Sequence, residues 1–179
     1  MQKLSLEQLN RVDVDTFKQQ KKLPVVLVLD SVRSMHNVGS AFRTADALNI
    51  ERIVLCGITA TPPHREIEKT ALGATKSVEW VHEKSTLDAV QRLKNEGYTI
   101  VSVEQASNSV FLQDFNPDES KSYAFVFGNE VHGVEQEVIS TSEQCLEIPQ
   151  FGTKHSFNVS VTMGIVLWDF ISKVKFAKK

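Results

Sequence analysis

Signals that would assign a compartment, a metal or a membrane are scarce in this chain. Its 179 residues include two cysteines, Cys56 and Cys145, too few for a disulfide framework. Without an export signal they are expected to remain two buried thiols. The opening Met1-Gln2-Lys3-Leu4-Ser5 has no basic stretch leading into an apolar one, and no later run approaches the roughly 18 apolar residues of a membrane span. A cytoplasmic protein without membrane contact is the expectation. The five histidines, His36, His64, His82, His132 and His155, are scattered without zinc-like spacing to either cysteine, so no metal is expected. No strand is followed by G-x-G-x-x-G, which argues against an ordinary dinucleotide site. Internal repeats, low-complexity tracts and a convincing interdomain linker are also missing.

Charge is equally unassertive. With 20 Lys+Arg against 22 Asp+Glu the net charge is −2, so any nucleic-acid contact would need local basic patches. Lys173, Lys175, Lys178 and Lys179 are the leading candidates, with Lys18, Lys21 and Lys22 a weaker cluster.

What the chain does have is 41% hydrophobic residues, enough for one compact domain with a substantial core. Residues 4–20 place apolar side chains, Leu4, Leu6, Leu9, Val14 and Phe17 among them, at helical intervals and predict a short amphipathic helix. Lys21-Lys22-Leu23-Pro24 ends it. Val25-Val26-Leu27-Val28-Leu29 is then an unbroken apolar run, the pattern of a parallel strand buried on both faces. Similar runs occupy 53–56, 99–103, 123–127 and 145–148. Helical spacing fills 38–48, 86–95, 135–140 and 159–174. This βαβα alternation predicts an α/β domain, a mainly parallel sheet with helices on both faces, over 24–179, preceded by an N-terminal helical extension over 1–23. Thr59 to Lys76, with Pro62-Pro63 and several charges, reads as a longer excursion at one end of the sheet.

In open α/β sheets ligands bind beyond the carboxyl ends of the strands, and three polar segments sit there. After the first strand, Asn37 suits a helix cap, Gly39 permits close approach of another backbone, and Arg43 lies a turn inside the following helix. After the fourth long strand, Gly128 and Gly133 bracket Glu130. Glycine there would let a ligand lie against the backbone, and Glu130 would accept hydrogen bonds from it or orient Arg43. After the last short strand, Ile148-Pro149 leads through a glycine-containing loop to Ser156 and Asn158, which introduce an apolar helix. Taken singly, each segment is also an ordinary helix start.

Together, Asn37-Val38-Gly39-Ser40-Ala41-Phe42-Arg43-Thr44, Phe127-Gly128-Asn129-Glu130-Val131-His132-Gly133-Val134 and Ile148-Pro149 through Ser156-Phe157-Asn158-Val159-Ser160 resemble, in order and spacing, the SpoU-type (TrmH-like) RNA 2′-O-ribose methyltransferases of the SPOUT class. The resemblance runs from about Pro24 to Phe170. Val134, Gln150 and Phe157 depart from it, standing where leucine, methionine and leucine are commoner.

The resemblance implies a SPOUT methyltransferase domain with a C-terminal deep trefoil knot, which periodicity cannot reveal and which topology rules treat as an exception. It implies S-adenosylmethionine as cofactor, held by backbone near Val103, Gly128 and Ile148 and closed in by Ser156 and Phe157. Its catalytic positions fall on Arg43, Asn37, Glu130, Ser156 and Asn158. A guanidinium of pKa above about 12 is a poor base. Arg43 is therefore expected to bind the neighbouring RNA phosphate and stabilise the developing alkoxide, with that phosphate assisting proton removal. Asn37 and Glu130 are expected to hold Arg43 or the ribose, while Ser156 and Asn158 shape the methyl-donor side. RNA is the expected partner, tRNA ahead of rRNA because no large separate RNA-binding domain is evident. A homodimer is expected, sealed by the apolar segment Met163–Ile171 and allowing Arg43 of one subunit to complete the other's site. The alternatives are a noncatalytic RNA-binding module on the same knotted fold, or a small α/β enzyme with another nucleotide cofactor.

Overall fold

A computed structural model describes residues 1–5, 7–9 and 11–176; Leu6, Lys178 and Lys179 of the expectations above lie outside the described residues. The elements are α1 (Val14–Gln19), β1 (Leu23–Asp30), α2 (Met35–Ala47), β2 (Ile50–Cys56), α3 (Arg65–Ala71), β3 (Glu79–Glu83), α4 (Thr86–Asn95), β4 (Tyr98–Val103), β5 (Val110–Phe111), β6 (Ser122–Phe127), α5 (Gln136–Thr141), β7 (Gln144–Glu147) and α6 (Val159–Ile171). The strands form one seven-stranded sheet in the order β3-β2-β1-β6-β4-β7-β5. Every pairing in it is parallel.

Parallel strands need crossovers, and these cover both faces of the sheet. In β1, Val25, Leu27 and Leu29 point into a layer with Val38, Phe42, Ile67, Met163 and Phe170 of α2, α3 and α6. Val26 and Val28 point the other way, against Ala89, Val90, Leu93 and Val138 of α4 and α5. The unbroken apolar run is thus explained residue by residue. Phe170 packs edge-on against Tyr123 and Phe125 of β6, with ring centroids 5.1 and 5.3 Å apart, which seats α6 on the sheet.

Several expected boundaries change. The single helix over 4–20 is replaced by a 3₁₀ turn at Glu7–Leu9 and by α1, because Asp13 starts a new helix by accepting from the Thr16 N–H at 2.9 Å. Phe17 of α1 is buried in the same core as Leu23 and Val25 of β1. The excursion from Thr59 to Lys76 contains α3 and a 3₁₀ turn at Ala74–Lys76. Helix α6 ends at Ile171 and passes into a π turn over Ser172–Phe176 instead of continuing to Val174. Both cysteines are free thiols, Cys56 buried and Cys145 half-buried. Burial pushes the Cys56 thiol up to about 12, which leaves it protonated and unreactive. Among the described residues, no helix is long and apolar enough to cross a membrane.

Candidate active site

The loops leaving β1, β6 and β7 meet above the carboxyl ends of the strands. The loop after β6 is a tight turn in which Asn129 and Gly133 exchange backbone hydrogen bonds, each 2.9 Å. The Asn129 side chain accepts from the Val131 and His132 N–H groups and donates to the Ser31 carbonyl at 2.7 Å. This holds Glu130 against the start of α2, where its carboxylate accepts from the Arg33 N–H (2.9 Å), the Ser34 N–H (3.0 Å) and the Asn37 side-chain amide (2.8 Å).

Ser34, not Asn37, caps α2: its hydroxyl accepts from the Asn37 N–H at 3.3 Å, so Asn37 lies inside the first turn. Asn37 is buried, and its carbonyl oxygen accepts from the Asn158 amide at 3.2 Å. Asn158 in turn caps α6, accepting from the Ser160 N–H at 2.9 Å and the Ser160 hydroxyl at 2.6 Å. Glu130, Asn37 and Asn158 therefore form one continuous chain of hydrogen bonds, tying all three polar segments together.

Burial acts to raise the Glu130 carboxyl, but hydrogen bonds from the Arg33 N–H, the Asn37 amide and the Ser34 N–H outweigh it and hold the group below its ordinary value. The result is an ionised acceptor on the amino end of α2, where the helix dipole favours negative charge. A second carboxylate braces the same loops: buried Asp30 accepts from the Thr86 hydroxyl at 2.6 Å and from the Glu135 N–H at 2.9 Å, joining the end of β1 to the start of α5.

A cavity of about 630 Å³ opens between the ends of β4, β6 and β7. Val103, Gly128, Ile148, Ser156 and Phe157 all line it, as do Glu130 and Asn158. Asn37 is outside the wall, one hydrogen bond from both of these last two. Arg43 is elsewhere. It is exposed on the outer face of α2, absent from the cavity wall, and has no hydrogen bond or ion pair among the described residues. Glu130 and Asn37 thus fix the first turn of α2 and do not touch the Arg43 side chain.

Residues 24–168 match the family model described as the SpoU rRNA Methylase family. The chain belongs to that family. It is 29% identical over 153 residues to a protein of Neisseria meningitidis serogroup B named 23S rRNA (guanosine-2′-O-)-methyltransferase RlmB, covering 86% of this chain and 60% of that one. Among solved structures, an AdoMet-bound rRNA methyltransferase from Sinorhizobium meliloti superposes with a TM-score of 0.77 at 26% identity, covering 87% of this chain and 59% of that one. The A. aeolicus TrmH/SpoU tRNA modifying enzyme shares the fold, with a TM-score of 0.78 at 24% identity over 89% of this chain and 81% of that one. This SpoU family chain therefore spans about 60% of the length of its meningococcal relative.

Two features of this SpoU family site escape sequence patterns. The space beside Gly128 is filled by the protein itself, not left for a ligand: a Cβ there would meet the Gly133 carbonyl carbon at 2.1 Å. Glu104, just past β4, lines the cavity and accepts from the Val134 N–H at 3.1 Å and the Gln105 N–H at 2.7 Å. Its position beyond a strand's carboxyl end was the available signal. Gln105 beside it donates to the His155 carbonyl at 2.6 Å, pinning the loop that carries Ser156 and Phe157. The lysine clusters are partly consumed by structure. Lys173 pairs with Asp169 at 2.7 Å and donates to the Leu112 carbonyl, while Lys22 donates to the Phe17 carbonyl and Asn49.

Proposed function

We propose that this protein is an RNA methyltransferase that moves the methyl group of S-adenosylmethionine to a ribose 2′-hydroxyl. The observation that carries the reading is the meeting, in and beside one cavity, of the residues to which the family resemblance assigns the donor with the Glu130–Asn37–Asn158 chain. The lining fits such a donor. Val103, Leu146, Ile148 and Phe157 offer apolar walls for a purine, and the carboxylates of Glu104 and Glu147 suit a cationic molecule. When bound, the donor supplies a methyl group on a positively charged sulfur. The names of the meningococcal and Sinorhizobium relatives agree with this chemistry.

In this reading Glu130 and Asn158 clamp Asn37, so that α2 presents Arg43 at a fixed tilt to the RNA. Arg43 binds the phosphate next to the target ribose and stabilises the developing alkoxide, and the phosphate assists removal of the proton. Alignment of oxygen and methyl supplies much of the rate gain. The protein works as a cytoplasmic homodimer with residues 1–23 as an extension of the methyltransferase domain, 24–179, and with the trefoil knot that the resemblance implies. Exposed Val161, Trp168 and Phe176 support a partner surface along α6 and the turn after it. Arg43's absence from its own chain's cavity wall supports completion of each site by the partner's Arg43. RNA is the substrate class. The relatives' names include both rRNA and tRNA enzymes, and the tilt towards tRNA draws no support from them.

Titration calorimetry with S-adenosylmethionine, followed by methyl transfer to total RNA and mass-spectrometric mapping of ribose methylation in tRNA and rRNA from a deletion strain, tests the proposal. Donor binding and loss of one 2′-O-methyl mark are expected. No donor binding, even with RNA present, would leave the noncatalytic RNA-binding module as the better reading.

A further inference from the structure

The six arginines of this chain fall into two groups. Arg52 and Arg92 are internally neutralised: Arg52 pairs with Glu96 at 2.5 Å, and Arg92 with Glu83 at 2.8 Å and Glu96 at 2.5 Å. The guanidinium groups of Arg33, Arg43 and Arg65 are exposed and have no acid or hydrogen-bond partner among the described residues; nor has that of Arg11 in the N-terminal extension. Three of these four lie on the α2–α3 side of the site.

Their placement is fixed by the fold. At about 100° per residue, His36, Ser40, Arg43 and Ala47 share the outer face of α2, opposite the buried Val38, Ala41, Phe42 and Ala45. Arg33 directly precedes the Ser34 cap, and its N–H is held by Glu130. From Arg33 to Arg43 the helix rise gives a span of about 15 Å. Helix α3 lies close against α2 at Gly39, where an added Cβ would meet the Ile67 carbonyl oxygen at 2.2 Å and the Thr70 hydroxyl at 2.1 Å. Thr70 donates to the His36 carbonyl at 3.0 Å, so Arg65, the first residue of α3, is brought beside the His36 end of α2. The acids on this surface are already engaged. Glu66 accepts from Lys69 at 2.7 Å and pairs with His36 at 2.9 Å, and Glu130 has its three donors.

We propose that Arg33 and Arg65, together with Arg43, form a track that binds successive phosphates of the RNA strand entering the site. The inference rests on RNA being the substrate and adds two residues outside the family motifs. A planar guanidinium takes a phosphate bidentately, as a lysine cannot. Leaving it without an internal acid keeps it available, at a position where a chain of net charge −2 otherwise offers nucleic acid little.

Filter binding of total tRNA and of an rRNA fragment across a salt series tests this without requiring turnover. Arg33→Ala and Arg65→Ala are each expected to weaken RNA binding about five- to tenfold near 0.1 M salt and to lower the log–log salt slope by about one. Lys121→Ala removes the same charge in the turn before β6, beside Asn116, Asp118 and Glu143 and away from α2 and α3, and should leave the slope unchanged. An unchanged slope in the folded Arg33→Ala/Arg65→Ala double variant, or a loss equal to that of Lys121→Ala, overturns the track. Arginine-dependent RNA binding in a protein that transfers no methyl group would uphold the track and sink the enzymatic reading. Absence of RNA binding by the wild-type protein would sink both.

Discussion

Asn37 donates its side-chain amide to the Glu130 carboxylate at 2.8 Å, and the two residues are 93 apart in the chain. Because the same carboxylate also holds the Arg33 and Ser34 N–H groups, it acts on a helix end, not on a single side chain. Arg43 follows six residues later, about 9 Å along the axis. A small displacement at Asn37 therefore reaches Arg43 as a change in the tilt of α2.

Glu130→Gln keeps the shape but turns one oxygen into an amide that faces donors. Loss of the ionised acceptor is expected to cost about 1–2 kcal/mol in urea unfolding, and to lower methyl transfer more than tenfold through the altered α2. A variant with wild-type turnover would show that the bond is incidental to catalysis.

The same carboxyl sets an acid limit on its own contribution. Its folded value is held below the ordinary 4.5, so its stabilisation is fully present above the unfolded-state value and is lost as pH falls through the lowered folded one. The stability gap between wild type and Glu130→Gln should be constant from neutral pH to about 5, then close on further acidification. Several other carboxyls are held low as well, including Glu66, Glu96 and Glu143. Only the difference curve isolates Glu130. A gap that persisted into strong acid would mean that ionisation is not what makes the latch.

The two glycines around Glu130 should fail differently. Gly133 has φ +69°, and the nearest atoms an added Cβ would meet are those of the Glu104 carboxylate, at 2.0 Å, the far end of a flexible side chain. Gly133→Ala should cost about 1–2 kcal/mol for the left-handed backbone, plus a clash that Glu104→Ala relieves. At Gly128 the obstacle is backbone, so Gly128→Ala should be the more damaging and Glu104→Ala should not rescue it. Denaturation of the two glycine variants, each with and without Glu104→Ala, and of Glu104→Ala alone checks this ordering. Equal rescue at both positions would contradict it.

These features mark the boundary of what the sequence made legible. Strands buried on both faces announce themselves, as β1 does, because every residue is apolar. Edge strand β3, Glu-Trp-Val-His-Glu, has its residues exposed or half-buried, so it carries no such run, and β5 is two residues long. In α3 only Ile67 and Ala71 are buried, too short a stripe for periodicity to register. At the site, the ordered segments located Asn37, Glu130 and Asn158. Their partners depend on how distant loops pack. Local pattern suggested Asn37 as a cap and Glu130 as a partner of Arg43; the fold gave the cap to Ser34 and Glu130 to Asn37. Glu104 had no motif around it at all.

Arg43 offers the sharpest test of how the site is completed. It is exposed and absent from the cavity wall of its own chain, whereas Asn158 lines that wall and caps α6. Arg43→Lys should retain the fold and donor binding yet lose most turnover, because an ammonium lacks the planar fork. Near-normal turnover with unchanged RNA affinity would remove any special guanidinium role. Arg43→Ala and Asn158→Ala should each be inactive alone. If the partner's Arg43 completes each site, a mixed dimer has one intact site, made from the Asn158 of one subunit and the Arg43 of the other. Equal, freely exchanging mixtures would then recover about a quarter of wild-type activity, since half the dimers are mixed and each has one working site. Sites built within a single chain would recover none, whether or not two chains pair along α6.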